Sequence, residues 1–272
     1  MLVILAIKLT NTMNNKYFLI LLGAMAVSCS NDDNNNGENS SSANFLPLEN
    51  GNYWVYEVES TNLNGRDSLY TTNDTTINGN TYRKFTTELM PYGFYSNALR
   101  NNGVRSDNGK LMISGIPDIG IPDLPIEVNL TDFVLLDQNA AIGTTLSSIS
   151  DNTQQTFEGI TLDISYVLST KAGETHASYT TVNGTSYTNV KTTVLSLNLA
   201  INASMPGFPI SVPVLPSQNV VTSVQYYAEN IGMIYNETNI EYQLGDTFGI
   251  ELPIPSSASE QQQEILVDYN AE

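Results

Sequence analysis

Few residues in this chain have the type and spacing needed for bond-making chemistry. His176 is the single histidine and Cys29 the single cysteine. A zinc centre needs about four nitrogen or sulfur ligands, and these two cannot supply them. A serine triad would need His176 beside an activated serine, but no Gly-x-Ser-x-Gly elbow occurs. One imidazole makes no constellation, so His176 reads as a surface residue near a strand start. Carboxylates are plentiful, with 28 Asp and Glu, and a pair held at the right separation could hydrolyse a glycoside. That separation is not encoded in sequence, which ranks a carboxylate hydrolase third among functions. Asp118 and Asp123 recur within Ile-Pro-Asp units, and proline-flanked aspartates read as solvated turns. Asp32, Asn34, Asn36 and Gly37 match the opening of a calcium loop, yet the twelfth position is Ala43 where a bidentate glutamate is required. No catalytic, cofactor-binding or metal-binding residue is assigned, and a non-enzyme is expected.

The chemistry of Cys29 is of another kind. Asn14, Asn15 and Lys16 precede an apolar run over 17–27, then Ser28 and the cysteine. That run is shorter than the roughly 20 residues that cross a bilayer and suits a signal-peptide core. Ala26, Val27, Ser28 and Cys29 resemble the lipobox of bacterial lipoproteins, with Ala26 where leucine is commonest. The resemblance implies cleavage before Cys29 and acylation of its sulfur. Each buried methylene contributes about 0.8 kcal/mol, so two or three chains would anchor the protein durably to a membrane. Residues 1–28 are thus expected to be a signal peptide. An apolar piece over 1–7, separated by a polar stretch, points to Met13 as the true start.

Residues 29–44 are rich in Asn, Ser, Asp and Gly, without apolar periodicity, and read as a disordered acidic tether. Asp32 and Asp33 resemble the export signal of surface lipoproteins in the Bacteroidota. The resemblance implies an outer-membrane protein facing the cell exterior, with a periplasm-facing anchor as the alternative.

The formal charge is −18, from 10 basic and 28 acidic residues; loss of Lys8 and Lys16 with the signal leaves −20. Such a surface has no basic footprint for nucleic acid. The charge is lopsided, with a net −4 over 29–110 and −16 over 111–272, which reads as solubility at a crowded surface.

The body, 45–272, is expected to be a single all-β domain: an antiparallel curved sheet, a sandwich or a partly open barrel. Threonine, serine, tyrosine, valine and isoleucine are abundant and only 14% of residues are charged. Trp54, Tyr56 and Val58 alternate with Glu57 and Glu59, as a half-buried strand does. Leu162, Ile164, Tyr166, Leu168 and Leu195, Leu197, Leu199, Ile201 alternate likewise. A segment around Asn78-Gly79 and Tyr82 recurs 105 residues later around Asn183-Gly184 and Tyr187. Asn-Gly between β-formers predicts a type I′ hairpin. Duplicated halves and convergent reuse of the turn both fit this repeat. Gly51, Trp54 and Tyr56, with Tyr227, Ala228 and Gly232, are similar to the Gly-x-x-Trp-x-Tyr and Tyr-Ala-x-x-x-Gly patches of uncharacterised Bacteroidota lipoproteins, a likeness that implies no activity.

Three apolar proline-rich stretches, 115–125, 205–216 and 252–255, lack ladder donors and are expected not to be central strands. They would cover the ends of the β structure. The first functional expectation is a binding module for an apolar or glycan ligand, with Tyr53, Trp54, Tyr56, Tyr226 and Tyr227 as candidate aromatic platform. The second is an interaction subunit whose Pro-Ile loops dock a partner protein. An apolar cavity favours the first, and a flat apolar patch over a filled interior favours the second.

Overall fold

The computed structural model describes residues 43–61, 63–121, 126–157, 159–204, 211–247, 249, 252 and 254–272. Cys29, Asp32 and Asp33, with the signal region and most of the tether, lie outside the described residues, as do Asp123 and parts of the three proline-rich stretches. Ser41–Glu272 forms one compact unit.

That unit is a nearly closed antiparallel barrel. Its strands are β1 (Tyr53–Ser60), β2 (Asn64–Ile77), β3 (Asn80–Thr87), β4 (Gly103–Asp107), β5 (Lys110–Gly115), β6 (Leu130–Asp137), β7 (Thr145–Phe157), β8 (Ile160–Thr180), β9 (Ser186–Ser204), β10 (Ser211–Ala228), β11 (Gly232–Gln243) and β12 (Ser257–Asn270), with one short helix, α1 (Phe94–Leu99). Around the sheet the order is β6-β5-β4-β3-β2-β1-β12-β11-β10-β9-β8-β7. Every neighbour pair is consecutive in sequence except β1 and β12, where Tyr53 faces Asn270 and Ser60 faces Gln262. The seam lies between β6 and β7. There side chains bridge the gap: Val134 N–H donates to Ser147 Oγ (2.9 Å) and Thr170 Oγ1 donates to the Val134 carbonyl (2.6 Å).

An up-and-down meander sorts its connections onto two ends. The links after β2, β4, β6, β8 and β10 lie at the end where β1 begins, here the base. The links after β1, β3, β5, β7, β9 and β11 lie at the opposite rim. The chain enters at the base, where buried Phe45 and Leu46 close the barrel and Asn230 N–H donates to the Asn44 carbonyl (2.6 Å). The described parts of the three proline-rich stretches fall at the rim.

The alternation read from sequence is the alternation of the structure. Trp54, Tyr56 and Val58 are fully buried, as are Leu162, Ile164, Leu168 and Leu197, Leu199, Ile201. Asn78 (φ 51°) and Gly79 (φ 83°) form a two-residue loop closing β2 to β3, with Ile77 opposite Asn80. The second pair departs from expectation. Val182, Asn183 and Gly184 make a three-residue loop in which only Gly184 (φ 85°) is left-handed. Thr181 brackets it, accepting from Gly184 N–H and donating to the Thr185 carbonyl, each at 2.9 Å. This is a type I turn followed by a left-handed glycine. The repeat therefore occupies the second and third strands of two six-strand runs, with Tyr82, Phe85, Tyr187 and Val190 all buried. The turns that join them differ.

The proline expectation needs correction. Pro213 and Pro216 lie within β10, a central strand. They are tolerated because β11 pairs with β10 only from Val221 onward, and because the β9 register shifts at Pro213/Leu215 and Leu215/Gln218. Proline thus occupies bulges on a locally one-sided strand, where no ladder donor is lost.

Candidate functional site

The interior is organised around α1, which enters the barrel from the rim. Phe94, Tyr95, Ser96 and Leu99 are buried, and the Tyr95 ring packs edge-on against Tyr56 (6.0 Å) and Tyr227 (6.2 Å). A six-residue helix cannot stabilise itself. Its first-turn amides are instead held by acceptors from the wall. Asp67 on β2 accepts from Tyr92 N–H (2.8 Å) and Gly93 N–H (2.7 Å), and Gln262 Oε1 on β12 accepts from Phe94 N–H (2.6 Å). Glu264 Oε1 accepts from Tyr95 N–H (2.6 Å) and from Asn236 Nδ2 (2.9 Å), while Oε2 accepts from Ser96 Oγ (3.1 Å) and more distantly from Ser96 N–H (3.3 Å). Position 93 is glycine because a Cβ there would collide with the Glu264 side chain.

Glu264 is fully buried, opposite Val58 on β1 and Asn236 on β11. Burial, reinforced by the nearby Asp67 charge, pushes its carboxyl up to about 7 against the pull of the bonds from Tyr95 and Asn236. Sequence reasoning missed this residue. In Gln261, Gln262, Gln263, Glu264 it reads as one more polar position, and only its register against inward Val58 reveals that it points inside. The helix was missed for a related reason: too short for an amphipathic period, it exists through the acceptors that hold it.

Beneath α1 runs a slender apolar slot of about 30 Å3. Its lid is Phe94, Leu99, Pro117 and Ile119; its walls are Leu130, Phe133 and Leu135 on β6, Leu168 on β8, Leu195 and Leu197 on β9, and Val221 on β10. Gln225 is its polar wall residue. The space left beneath α1 is small and its lining almost wholly apolar. Asp118 sits at the rim and folds its carboxylate onto Gly120 N–H (2.9 Å), as a turn aspartate does.

The five candidate platform aromatics do not form one surface. Trp54, Tyr56 and Tyr227 face inward and are completely buried. Trp54 Nε1 donates to the Ile231 carbonyl (2.6 Å), Tyr56 Oη to the Met233 carbonyl (3.1 Å) and Tyr227 Oη to Gln225 Oε1 (2.7 Å). Tyr53 is exposed on the outer face at the base. Tyr226 lies on the outer wall in a row with Tyr179 (4.5 Å) and Tyr235 (5.4 Å). His176 lies inside β8 and joins that row, stacked on Tyr226 at 6.2 Å. Tyr226 is stacked between Tyr179 and His176, so its ring faces are occupied by neighbours.

Polar groups elsewhere are locally matched. Arg105 Nε donates to Asp132 (2.7 Å), Tyr82 Oη donates to the same carboxylate, and the Arg105 bond holds Asp132 below its ordinary range. Among the described residues, no group of three or more His, Cys, Asp or Glu could hold a metal ion.

No protein-family profile matches the chain, and neither does any curated protein. A solved structure of a Parabacteroides distasonis protein described as a candidate lipoprotein aligns with 84% of this chain and 99% of its own, at 11% identity and a TM-score of 0.35. A likeness at that level carries no argument about fold or function, and the reading of the chain rests on its own residues.

Proposed function

We propose that the protein is a lipid-anchored, non-catalytic binding module of the outer membrane, acylated at Cys29 and facing the cell exterior, which takes an apolar ligand through the rim of its barrel. The observation that carries this reading is the apolar slot beneath α1, lined by leucine, isoleucine, valine and phenylalanine side chains from the lid and five strands. The chain enters at the base, so a tether running from Cys29 to Asn44 would leave the rim pointing away from the membrane. A glycan ligand loses its support, because three of the five platform aromatics are core.

The test uses the mature chain from position 29 with Cys29→Ser, followed by leucine-methyl NMR. Octane is expected to shift the methyls of Leu195 and Leu197, and filling the slot by Leu197→Trp is expected to abolish the effect. Octane binding that survives Leu197→Trp, or no shift in wild type, refutes the slot as a ligand site.

A second reading, docking of a partner protein, is favoured by exposed Leu63, Leu89, Met90, Tyr92 and Ile116 on rim connections. Apolar side chains gathered on one end are what a protein contact would use. Cross-linking at position 90 on intact cells separates the two, since a small ligand leaves no protein adduct.

A further inference from the structure

Glu260, Gln262 and Glu264 stand two residues apart on β12 and so share its inward face, paired with Ile240, Thr238 and Asn236 of β11. The lower two receive first-turn amides of α1, Gln262 from Phe94 and Glu264 from Tyr95. Glu260 continues the series one step nearer the rim, where no amide of the helix meets it. Among the described residues its carboxylate has no hydrogen-bond or ion-pair partner. It lines instead a cleft of about 290 Å3, open at the rim between α1, the loop that carries Asp118 and Gly120, and the ends of β11 and β12.

The other walls of the cleft are fixed by the backbone. Position 65 is glycine, and the Tyr92 ring lies directly on it, since a Cβ there would run into the ring. The Tyr92 peptide is pinned on both sides, its N–H donating to Asp67 and its carbonyl accepting from Gln262 Nε2 (3.0 Å), while the ring stays 43% exposed. Gly120 is pressed against the floor, where an added Cβ would stand 3.1 Å from the Phe94 ring and 3.3 Å from Ile240 Cδ1. That close approach brings Asp118 to the cleft wall with Oδ1 held by Gly120 N–H and Oδ2 left over. Asn97 turns its amide N–H groups to the carbonyls of Pro91 (3.0 Å) and Gly93 (2.9 Å), so that Oδ1 is what remains for the cleft.

The cleft therefore presents two carboxylates, an amide oxygen and an aromatic ring, and no lysine or arginine lines it. An anion would be repelled. A calcium ion takes six to eight oxygens, which two carboxylates and one amide do not supply. A sugar needs donors among the acceptors, and the side-chain donors left are one Gln262 N–H and the Tyr92 O–H. An ammonium group needs what is present: negative charge, acceptor oxygens and the face of an aromatic ring. We propose that the cleft binds a small organic cation by its ammonium group, with Glu260 and Asp118 as counter-charges and the Tyr92 ring against its alkyl substituents. Ligand pockets span about 300–1,000 Å3, so this one, at the lower end, takes a small molecule or a head group. The net charge of −18 raises the local concentration of any cation. The cleft shares Phe94 and Asp118 with the slot beneath α1, but it is already open at the rim and its occupancy does not depend on that slot.

Isoleucine-methyl NMR on the mature chain from position 29 with Cys29→Ser tests the assignment, because the Ile240 methyl lies in the cleft wall. Choline is the probe, 3,3-dimethyl-1-butanol its uncharged isostere, glucose the sugar control and potassium chloride the salt control. Choline is expected to shift Ile240 saturably, and the other three at equal concentration are not. Glu260→Gln and Asp118→Asn should each weaken choline about threefold to fivefold, as for an exposed ion pair, and Tyr92→Leu about threefold, as for an exposed cation–π contact. Glu59→Gln removes the same charge from the outer face near the rim and should leave the affinity unchanged. Equal shifts from choline and its uncharged isostere overturn the ammonium assignment, and glucose binding more tightly than choline replaces it with a sugar site. An equal loss in Glu59→Gln and Glu260→Gln reduces the effect to general electrostatics and overturns the site, as does an Ile240 methyl that choline does not move.

Discussion

Replacing Glu264 with glutamine should change how stability depends on pH, and the direction is opposite to that of most protein carboxylates. The carboxyl rises from an ordinary 4.5 to about 7 on folding because it is fully buried beside Asp67. A raised carboxyl pKa means that the folded state holds the proton more tightly than the unfolded state does. Its stabilising contribution is complete below about 4.5 and is lost as pH climbs through 7. At 1.36 kcal/mol per pH unit, the interval corresponds to roughly 3 kcal/mol. No allowance for solvent screening is needed for a group with no exposed surface. Urea denaturation of wild type and Glu264→Gln at intervals from pH 4 to 8 isolates this one group, because other carboxylates cancel in the difference. The wild type should lose about 3 kcal/mol relative to the variant across that range, with most of the change between 4.5 and 7. The glutamine also presents its amide to Ser96, a constant penalty that shifts the difference curve without tilting it. A difference curve that is flat with pH would refute the reasoning, showing that Glu264 titrates alike in both states.

Further outcomes follow from the anchor and the turns. Cys29→Ala should leave the protein unprocessed or released from membranes, read by detergent partitioning; a processed, soluble protein with an unmodified cysteine in the wild type would end the lipoprotein reading. Asp32→Asn with Asp33→Asn should preserve acylation but protect the protein from protease added to whole cells, and equal digestion of both forms would discard the export signal. Gly232→Ala should cost about 3 kcal/mol or more in chemical denaturation, since a Cβ at φ 117° meets Trp54 Nε1 at 2.8 Å and Leu46 Cδ1 at 2.9 Å. Gly79→Ala, at φ 83° with open space around it, should cost only about 1–2 kcal/mol.

What was legible in the sequence was what repeats locally. Alternation of Trp54, Tyr56 and Val58, or of Leu195 to Ile201, is a property of the strand itself, and the Asn78-Gly79 turn is a property of two residues. The proline-rich stretches were expected to cover the ends of the β structure, and their described parts lie at the rim, but Pro213 and Pro216 were excluded from a central strand because sequence does not show where a neighbouring strand stops pairing. The aromatic platform dissolved for a reason that alternation itself supplies. Tyr226 and Tyr227 are adjacent in sequence and lie on opposite faces of the sheet, so no one surface holds both. The site is the least legible part. Tyr95, Gln225 and Glu264 come from α1, β10 and β12, and each looks ordinary alone. Their meaning lies in register, which is not written in the order of residues.

The pairing of β1 with β12 has a consequence for folding during synthesis. Tyr53 cannot meet Asn270 until more than 200 further residues have been made, and contacts so distant along the chain form slowly. Until then β1 shows an open edge, a standing invitation to other strands. The sparse charge of Tyr53–Ser60 does little to blunt it, with Glu57 and Glu59 as its two ionised residues. A chain stalled before β12 would therefore be adhesive along β1, and holdase chaperones should engage nascent forms lacking this last strand far more than they engage the finished barrel.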